Sequence, residues 1–444
     1  MFNVDELLKK AYLPGQISAK YHLLYKGKIQ IFPKCPIRNF EDFAIWYTPG
    51  VAEPCKKIIE NSEKVYELTN KWNTVAIVTD GSRVLGLGDI GPEASYPVME
   101  GKALLFKYLG GVDAFPVCLG IKNPDDIINV VKAIQPSFGG INLEDISQPK
   151  CFYVLERLRN EMDIPVWHDD QQGTATVVLA GLMNALKLVG KKINEVLITM
   201  VGAGAANVSV ARMIIAAGVR PGNIIMVDSK GILHPNRIDL KGHHEKWNLC
   251  LKTNKEGRLG GIKEAIKDAD VCIAMSRPGP GIITKDMIKT MNNKAIVFAC
   301  ANPIPEIWPW EALEAGAKIV ATGRSDFPNQ INNSLGFPGI FRGALDVRAK
   351  TITDEMCIAA AKELANLAEE KGLKDDYILP TMDDWEVFPR EAVAVGQKAI
   401  EKGIARLKLS REEIYVKAKN LIEETRKSIE FMIKHNIIKL PSNN

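Results

Sequence analysis

The stretch Ile164–Val189, IPVWHDDQQGTATVVLAGLMNALKLV, constrains the fold of this chain more than any other. It has the pattern of a short apolar strand, a polar turn that carries two carboxylates, and a long apolar helix. Open α/β sheets hold their ligands where strands end, because the loops that leave the carboxyl ends converge there. The helix from about Thr174 is apolar on nearly every face, so it is expected to be buried between layers or domains. We therefore expect a functional site at the turn and a second unit beyond the helix.

Strands and helices alternate on the amino-terminal side of this stretch. Apolar patterns typical of buried strands cover residues 74–81, 112–120, 137–146 and 164–170. Helical patterns lie between them, near residues 95–109, 124–134 and 149–162. This alternation predicts a parallel sheet built from βαβ units, and the polar strand ends are expected to meet at one edge of it.

Acidic residues follow two of these strands. Glu144 and Asp145 end one strand, and Asp170 follows another. Such residues usually cap helices or face solvent, but here three carboxylates are expected at one edge. Mg²⁺ and Mn²⁺ prefer oxygen ligands of this kind, so the sequence predicts a Mg²⁺ or Mn²⁺ site at Glu144, Asp145 and Asp170. Two adjacent residues can both face one ion only where the pleat of the strand is broken.

The chain from residue 195 has the order of a dinucleotide-binding unit, which is strand, glycine turn and helix. The glycines allow a tight turn and bring the helix amino terminus close to a pyrophosphate. Asn207 stands at the third small position of the fingerprint, unless Ala206 takes that role. The residues expected to bind NAD or NADP at this turn are Gly202, Gly204, Ala205, Ala206 and Asn207.

The end of the next predicted strand bears on the choice of cofactor. Asp228 stands where an acid binds the ribose hydroxyls of NAD and repels the 2′-phosphate of NADP. Ser229 and Lys230 follow it directly and could instead accept that phosphate. The sequence leaves NAD and NADP open.

Three asparagines lie in later loops of this unit. Asparagines in such loops are commonest as turn formers. Beside a bound nicotinamide, Asn302 and Asn333 could instead hold substrate, and Asn302 and Asn332 could hold the cofactor. Further strands that complete a doubly wound sheet are predicted at residues 270–276, 295–303 and 318–324.

Composition excludes some classes of partner. The chain has 57 basic and 53 acidic side chains and a net charge of +4, with no basic run, which gives no sign of a nucleic acid or a membrane as partner. We expect no apolar run long enough to span a bilayer and find no secretory signal pattern, so a cytoplasmic protein is expected. The eight cysteines form no CxxC pair and are expected to be free thiols.

These patterns predict an α/β protein of two domains with added helices. Residues 1–165 are expected to form a domain for substrate and metal, and residues 166–345 a Rossmann-type domain for NAD(P). Residues 346–444 are predicted to be helical and to pack on the first domain or to build a dimer interface.

Nine ordered motifs between about residues 20 and 400 resemble those of malic enzymes, in their shorter bacterial form. The motifs are YTPGVAEPC (47–55), GSRVLGLGDIG (81–91), MEGKALLFK (99–107), INLEDI (141–146), HDDQQGTA (168–175), VGAGAAN (201–207), VDSKG (227–231), ANPIPE (301–306) and GRSDFPNQINN (323–333). The resemblance implies oxidative decarboxylation of L-malate to pyruvate and CO₂, and usually a homodimer.

The resemblance also implies roles for individual residues. Lys102 would be the general base for the malate hydroxyl, with a pKa lowered by burial or neighbouring cations. Tyr47 would be the general acid, although a tyrosine beside a tight turn is by itself more often a packing residue. Arg83 would bind a substrate carboxylate, and Asp169 would orient the metal ligands without binding the ion.

Two other functions stay open at this stage. A malolactic enzyme on the same scaffold would keep NAD bound and convert malate to lactate. A non-catalytic protein that senses nucleotides would keep the fold but lose the site, whereas here the expected metal ligands, arginine, lysine and tyrosine are all present.

Overall fold

The computed structural model describes residues 4–84 and 86–441. The helices on the amino-terminal side of the first glycine turn are α1 (Val4–Tyr25), α2 (Glu41–Trp46), α3 (Ala52–Glu60), α4 (Val65–Leu68), α5 (Gly91–Gly110), α6 (Pro124–Ile134), α7 (Lys150–Glu161) and α8 (Thr174–Val189). Those that follow it are α9 (Ala205–Ala216), α10 (His244–Lys252), α11 (Ile262–Ile266), α12 (Lys285–Lys289), α13 (Pro309–Glu314), α14 (Phe337–Asp346), α15 (Asp354–Glu370), α16 (Val387–Glu401) and α17 (Arg411–Lys434).

The first sheet has the strand order β2-β1-β3-β4, and all of its pairs are parallel. Its strands are β1 (Thr74–Thr79), β2 (Asp113–Cys118), β3 (Gly140–Leu143) and β4 (Val166–His168). The four predicted strands and the three predicted helices between them are confirmed. β1 is buried along its whole length because it lies inside the sheet with helices packed against it, which suits its continuous apolar sequence.

The second sheet has the order β10-β9-β8-β5-β6-β7. Its strands are β5 (Ile198–Val201), β6 (Ile224–Asp228), β7 (Gly231–Ile232), β8 (Val271–Ala274), β9 (Ile296–Ala299) and β10 (Ile319–Thr322). Only β7 among these strands is antiparallel to its neighbour. The strand order reverses at β5, with β6 on one side and β8 on the other, so the carboxyl end of β5 is the place where such sheets bind nucleotides.

Alternate side chains of the second sheet enter two separate cores. Met200 and Phe298 pack into the large core that also contains α8 and α9. Cys272 and Val297 pack with Ile288 of α12 into a smaller core on the opposite face. Helices therefore cover both faces of this sheet, which confirms the predicted doubly wound α/β fold.

Helix α8 is the buried helix that the sequence predicts. It packs against α9 and α15, and most of its side chains are inaccessible to solvent. By length and composition the helical stretch Asp169–Val189 could cross a bilayer, so the expectation that no apolar run is long enough was wrong on that count. With 78% of its apolar window buried inside the structure, this stretch has the environment of a core helix.

The helices after the second sheet pack back towards the first. α14 lies against α5 and α16, and α17 lies against α5 and α16. β4 is hydrogen-bonded to β3 and so belongs to the first sheet, and α8 connects the two sheets. The division into residues 1–165, 166–345 and 346–444 stays a prediction.

Candidate active site

Three acidic side chains meet at the carboxyl edge of the first sheet. Glu144 and Asp145 follow β3, and Asp170 follows β4. One carboxylate oxygen from each lies within 4.8 Å of the other two. The structure thus brings together the three residues for which the sequence predicts metal binding.

The backbone around Asp145 explains how two adjacent residues can face one point. β3 ends at Leu143, and Asp145 has a left-handed backbone conformation with φ of +53°. Its backbone N–H donates to Asp170 Oδ2 at 2.8 Å. The strand's alternation is therefore broken just where Glu144 and Asp145 must turn to the same side.

A single π-helical turn, Asp169–Gly173, joins β4 to α8. Trp167 Nε1 donates to Asp169 Oδ1 at 3.1 Å and orients that carboxylate. A Cβ atom at Gly173 would overlap the same oxygen, so only glycine fits at the end of this turn. π-Helical turns are rare and frequently lie at functional sites.

Lys102 of α5 also reaches the acidic edge. Its Nζ lies 2.5 Å from Asp169 Oδ2 and 3.0 Å from Glu144 Oε1, and 4.4 Å from the centre of the Phe337 ring. The side chain is only 8% exposed. The lysine thus contacts both a predicted metal ligand and the residue predicted to orient the ligands.

The charge state of Lys102 corrects the expectation of a lowered pKa. Burial by itself lowers the pKa of Lys102, but the charges of Asp169 and Glu144 more than offset it, and the pKa is raised. The sequence suggested burial and neighbouring cations, whereas the neighbours in the structure are anions. Lys102 in this arrangement is an ammonium ion.

The surrounding carboxyl groups are also perturbed. Burial, above all, raises the pKa values of Glu144, Asp169 and Asp170, although Lys102 opposes the shift. Four carboxyl groups, counting Asp145, lie near one ammonium group and the guanidinium of Arg83, so acidic groups outnumber the cations. Oxygen donors with excess negative charge fit a hard divalent cation such as Mg²⁺ or Mn²⁺.

Arg83 lies beside this cluster. Its backbone N–H donates to the carbonyl oxygen of Asp145 at 3.0 Å, and its charge lowers the pKa of Asp170 against the larger effect of burial. The Arg83 side chain is exposed, so its donors can reach a ligand at the edge of the sheet. The nearby Gly86 lies against Pro278 and Asn302, so here the two α/β units touch.

Tyr47 is not brought onto Lys102 within one chain. It ends α2 and is 72% exposed, whereas Lys102 is buried. Over the described part of the chain, no hydrogen bond joins the two side chains. The two residues of the expected acid–base pair thus differ in environment, one at the surface and one in the interior.

The glycine turn lies at the switch point of the second sheet. Gly202 has φ of +98°, and a Cβ atom there would overlap the carbonyl oxygen of Met275. A Cβ atom at Gly204, at the start of α9 with Ala205 and Ala206, would meet nothing within 4 Å. The open space above a helix amino terminus fits the pyrophosphate of a dinucleotide.

Asn207 holds the glycine turn through buried side-chain hydrogen bonds. Its Nδ2 donates to the carbonyl oxygens of Val201 and Gly202, both at 2.9 Å, and the side chain is fully buried. The residue that departs from the glycine fingerprint therefore fixes the shape of the turn.

The three asparagines gather at the carboxyl ends of β9 and β10. Asn302 lies against Gly323, and Asn332 Nδ2 donates to the carbonyl oxygen of Gly323 at 3.5 Å. Asn333 lies beside Gly173, at the end of the π-helical turn. They thus link the carboxyl edge of the second sheet to the π-helical turn at the acidic edge of the first.

Asp228 ends β6, as expected, but it is engaged by a residue that sequence reasoning missed. Arg237 donates from Nη1 and Nη2 to the two carboxylate oxygens of Asp228, at 3.1 and 3.0 Å. Ser229 and Lys230 follow on the exposed turn into β7. Arg237 belongs to no motif, and the only signal for it is its position in the loop after β7.

Two further contributors could not be found by motif. Phe337 lies in the loop-to-helix junction of α14, far along the chain from Lys102, and its role beside the lysine depends on tertiary packing. Gly173 does lie in the HDDQQGTA motif, but its reason, the close approach of Asp169, is visible only in space.

Comparison with known proteins agrees with this geometry. The malic enzyme N-terminal domain matches residues 26–124 and 121–159, and the malic enzyme NAD binding domain matches residues 171–400. The chain is 50% identical over 401 residues to the bifunctional malic/malolactic enzyme of Bacillus subtilis, covering 90% of this chain and 96% of that protein. It is 42% identical over 407 residues to the NADP-dependent malic enzyme of Halomonas elongata, covering 88% and 94%.

A solved structure gives the same result in three dimensions. The crystal structure of a malic enzyme from Entamoeba histolytica matches with a TM-score of 0.97 at 49% identity, over 99% of this chain and 93% of that one. Both domain models match in the expected order, the relatives match over nearly their whole length, and the solved structure has the same fold. The chain therefore belongs to the malic enzyme family.

Proposed function

We propose that this protein converts L-malate to pyruvate and CO₂ and transfers a hydride to NAD or NADP. The observation that carries the proposal is the buried lysine among carboxylates at one sheet edge, whose π-helical turn packs against α9, the helix that follows the glycine turn. All eight cysteines are free, which suits a reducing compartment, so we propose the cytoplasm as its location.

Glu144, Asp145 and Asp170 would hold Mg²⁺ or Mn²⁺. Bound there, the cation supplies Lewis-acid chemistry and offsets part of the negative charge that keeps the proton on Lys102. Asp169 holds Lys102 at 2.5 Å and is itself held by Trp167, so it positions the lysine. Arg83 is free to bind a substrate carboxylate through a two-pronged pair.

Two residues of the chain carry out the two proton transfers of the reaction. A bound nicotinamide would supply the two-electron acceptor for the C2 hydride, and Lys102, as the neutral amine, would remove the C2 hydroxyl proton. The C3–C4 bond breaks, CO₂ leaves, and the electron pair of that bond remains on the substrate as an enolate. Tyr47 donates the proton that C3 requires. Asn302 and Asn333 are placed to orient the substrate between the two units.

A homodimer would allow the exposed Tyr47 of one subunit to reach the site of the other. Large apolar side chains are exposed in the segment from α1 to α3. They include Leu23, Leu24, Phe32, Phe40, Phe43, Ile45, Trp46 and Ile59. Contiguous exposed apolar surface on a protein often marks an interface. We propose that two copies bury these surfaces against each other and that Tyr47 of the partner subunit completes the site.

A mixing experiment tests the shared site. Tyr47→Phe and Lys102→Met are each expected to be nearly inactive. In a mixed dimer with shared sites, one site carries both substitutions and the other carries neither, so activity returns on mixing after mild dissociation. If each site lay within one subunit, both sites of the mixed dimer would stay damaged and activity would not return. Light scattering that gives a monomer would refute the dimer itself.

The reaction is tested with L-malate and Mn²⁺, with NAD and NADP in parallel, while absorbance, pyruvate and lactate are measured. Reduced cofactor that appears in step with pyruvate supports the proposal. Malate consumed to lactate without reduced cofactor would identify a malolactic enzyme, an alternative favoured by the similarity to the bifunctional enzyme of Bacillus subtilis. No consumption with either cofactor would refute both, and would favour a non-catalytic role.

A further inference from the structure

A cluster of four charged side chains surrounds the carboxyl end of β6. Arg237 pairs with both oxygens of Asp228, and its Nε and Nη2 donate to Asp239 at 2.8 and 3.0 Å. Lys230 Nζ lies 3.2 Å from Asp239 Oδ2, and the backbone N–H of Lys230 donates to Asp228 Oδ1 at 2.9 Å. Two cations and two anions are thus held in one hydrogen-bonded group.

This group lies where the adenosine of a dinucleotide is expected. The backbone N–H of Gly202 donates to the carbonyl oxygen of Val227 at 2.8 Å, so the glycine turn touches the end of β6. In Rossmann-type sheets an acid at this strand end binds the ribose hydroxyls of NAD and repels the 2′-phosphate of NADP. The state of Asp228 therefore bears directly on cofactor choice.

Arg237 changes the charge that a nucleotide meets there. A fork-to-fork pair between guanidinium and carboxylate is the strong, directional kind of ion pair. Arg237 is 18% exposed and is held on both sides by acids, so its position is fixed before a nucleotide binds. The four charges sum to zero, and the repulsion that a lone Asp228 would exert on a 2′-phosphate is cancelled.

The cluster also offers donors to such a phosphate. A guanidinium is a rigid phosphate ligand, and a lysine adds a flexible point charge. Arg237 donates to Asp228, to Asp239 and, from Nη1 at 3.4 Å, to the carbonyl oxygen of Gly231, so it must exchange one of these partners for the phosphate. Lys230 is exposed, and its Nζ can reach a phosphate without such an exchange. A nearby arginine is the group that accommodates the 2′-phosphate in NADP-binding members of this fold class.

We propose that Arg237 determines cofactor specificity: it neutralises Asp228 and, with Lys230, binds the adenosine 2′-phosphate, so that the enzyme uses NADP as well as NAD. This inference rests on the proposed binding of a dinucleotide at the glycine turn. It adds a residue outside every motif in the sequence to the cofactor site.

The test measures binding of two nucleotide fragments, 2′,5′-ADP and 5′-AMP, by calorimetry with the full-length protein. Arg237→Ala is expected to weaken binding of 2′,5′-ADP by about tenfold or more, the size of effect expected for loss of a hydrogen bond to a charged group, while 5′-AMP changes by less than about threefold. Arg220→Ala, an exposed arginine at the opposite end of β6, is the matched control and is expected to change neither.

Further variants separate the two parts of the proposal. Arg237→Lys keeps a charge but loses the fork, so its affinity for 2′,5′-ADP should fall between those of the wild type and Arg237→Ala. Asp228→Asn, which removes the acid and leaves the arginine, should tighten binding of 2′,5′-ADP. Retained binding of 5′-AMP shows that the Arg237 variants are folded. A far-UV circular dichroism spectrum like that of the wild type shows the same for Asp228→Asn, in which a partner of the ribose hydroxyls is changed.

Three results would overturn the inference. The first is that Arg237→Ala loses affinity for 2′,5′-ADP and for 5′-AMP by the same factor. The second is that its affinity for 2′,5′-ADP is unchanged. The third is that the wild type oxidises malate with NAD but not with NADP. A wild type that binds 2′,5′-ADP through Arg237 but leaves malate unconsumed with either cofactor would refute the proposed reaction and leave this inference standing.

Discussion

At the scale of single residues, the site depends on one lysine held between two carboxylates. The contacts with Asp169 and Glu144 make Lys102 an ammonium ion, although a general base must be neutral. A divalent cation on Glu144, Asp145 and Asp170 would compete for the same carboxylate charge. Metal binding and the charge on Lys102 should therefore oppose each other.

Replacing Lys102 tests this opposition. Lys102→Met is expected to lower kcat by about 10²- to 10⁴-fold, the usual contribution of a general base. Its affinity for Mn²⁺, measured by electron paramagnetic resonance, should equal or exceed that of the wild type, because an ammonium group that competes for Glu144 is gone. Asp170→Asn is the matched control and should lose Mn²⁺ affinity. Loss of Mn²⁺ binding in Lys102→Met would mean that the lysine holds the site together.

A second lysine gives a prediction about pH. Lys71 is buried and donates from Nζ to the carbonyl oxygens of Gln135 and Pro136 at 2.7 and 3.0 Å, and burial lowers its pKa to about 8. Between pH 8 and about 10.5 the unfolded chain therefore binds more protons at this residue than the folded chain, and stability contributed by this group rises with pH.

Lys71→Met removes the pH-dependent contribution of this lysine to stability. From pH 8 to pH 10 the free energy of unfolding of the wild type should rise relative to that of Lys71→Met, by at most about 3 kcal/mol for a shift of this size. Urea unfolding at several pH values measures it, with the exposed Lys350→Met as control. Parallel pH profiles for the wild type and Lys71→Met would contradict the prediction.

At the scale of elements, a buried ion pair ties the carboxyl-terminal helices to the first sheet. Arg342 of α14 is fully buried and donates to Asn73 Oδ1 at 2.5 Å and to Asp346 Oδ1 at 2.8 Å. Lys417 of α17 lies 3.0 Å from the same Asp346 oxygen. One carboxylate therefore connects α14 with α17, and the arginine connects α14 with the segment before β1.

The two cations on Asp346 should differ in their effect on stability. Asp346→Asn leaves Arg342 buried without its anion and is expected to lower the free energy of unfolding by about 3–5 kcal/mol. Lys417→Met breaks a contact whose lysine is 38% exposed, and is expected to lower it by no more than about 1 kcal/mol. Urea unfolding of both variants makes the comparison. If Asp346→Asn lowered the free energy of unfolding no more than Lys417→Met does, Arg342 would not depend on the charge of Asp346.

At the scale of the whole molecule, metal binding should be visible as stability. The three ligands come from the ends of β3 and β4, which are in register only in the folded protein. At a free Mn²⁺ concentration about 100 times its dissociation constant, the folded state gains about 2.7 kcal/mol. The melting temperature should therefore rise with Mn²⁺ and fall when the ion is chelated.

Two variants show whether this effect belongs to the predicted site. The rise in melting temperature should disappear in Asp170→Asn and persist in Lys102→Met, as scanning calorimetry can measure. A rise of equal size in Asp170→Asn would place the bound ion elsewhere on the protein.

Much of this protein follows from its amino-acid sequence alone, because some of the signals are local. Strand and helix patterns follow from the periodicity of apolar residues, so the two sheets could be predicted. The strand ends also fix where loops converge, so Glu144, Asp145 and Asp170 could be grouped from their positions along the chain. Ordered motifs such as HDDQQGTA carried the family resemblance.

Which charges face one another depends on the folded chain instead. The pKa of Lys102 depends on Asp169 and Glu144, which come from other elements, so periodicity and burial alone predicted its direction wrongly. The pairing of Arg237 with Asp228 and the exposure of Tyr47 are likewise set by the folded chain, and no sequence spacing predicts them. Electrostatic energies depend on distance and burial, and only the tertiary fold sets these two quantities.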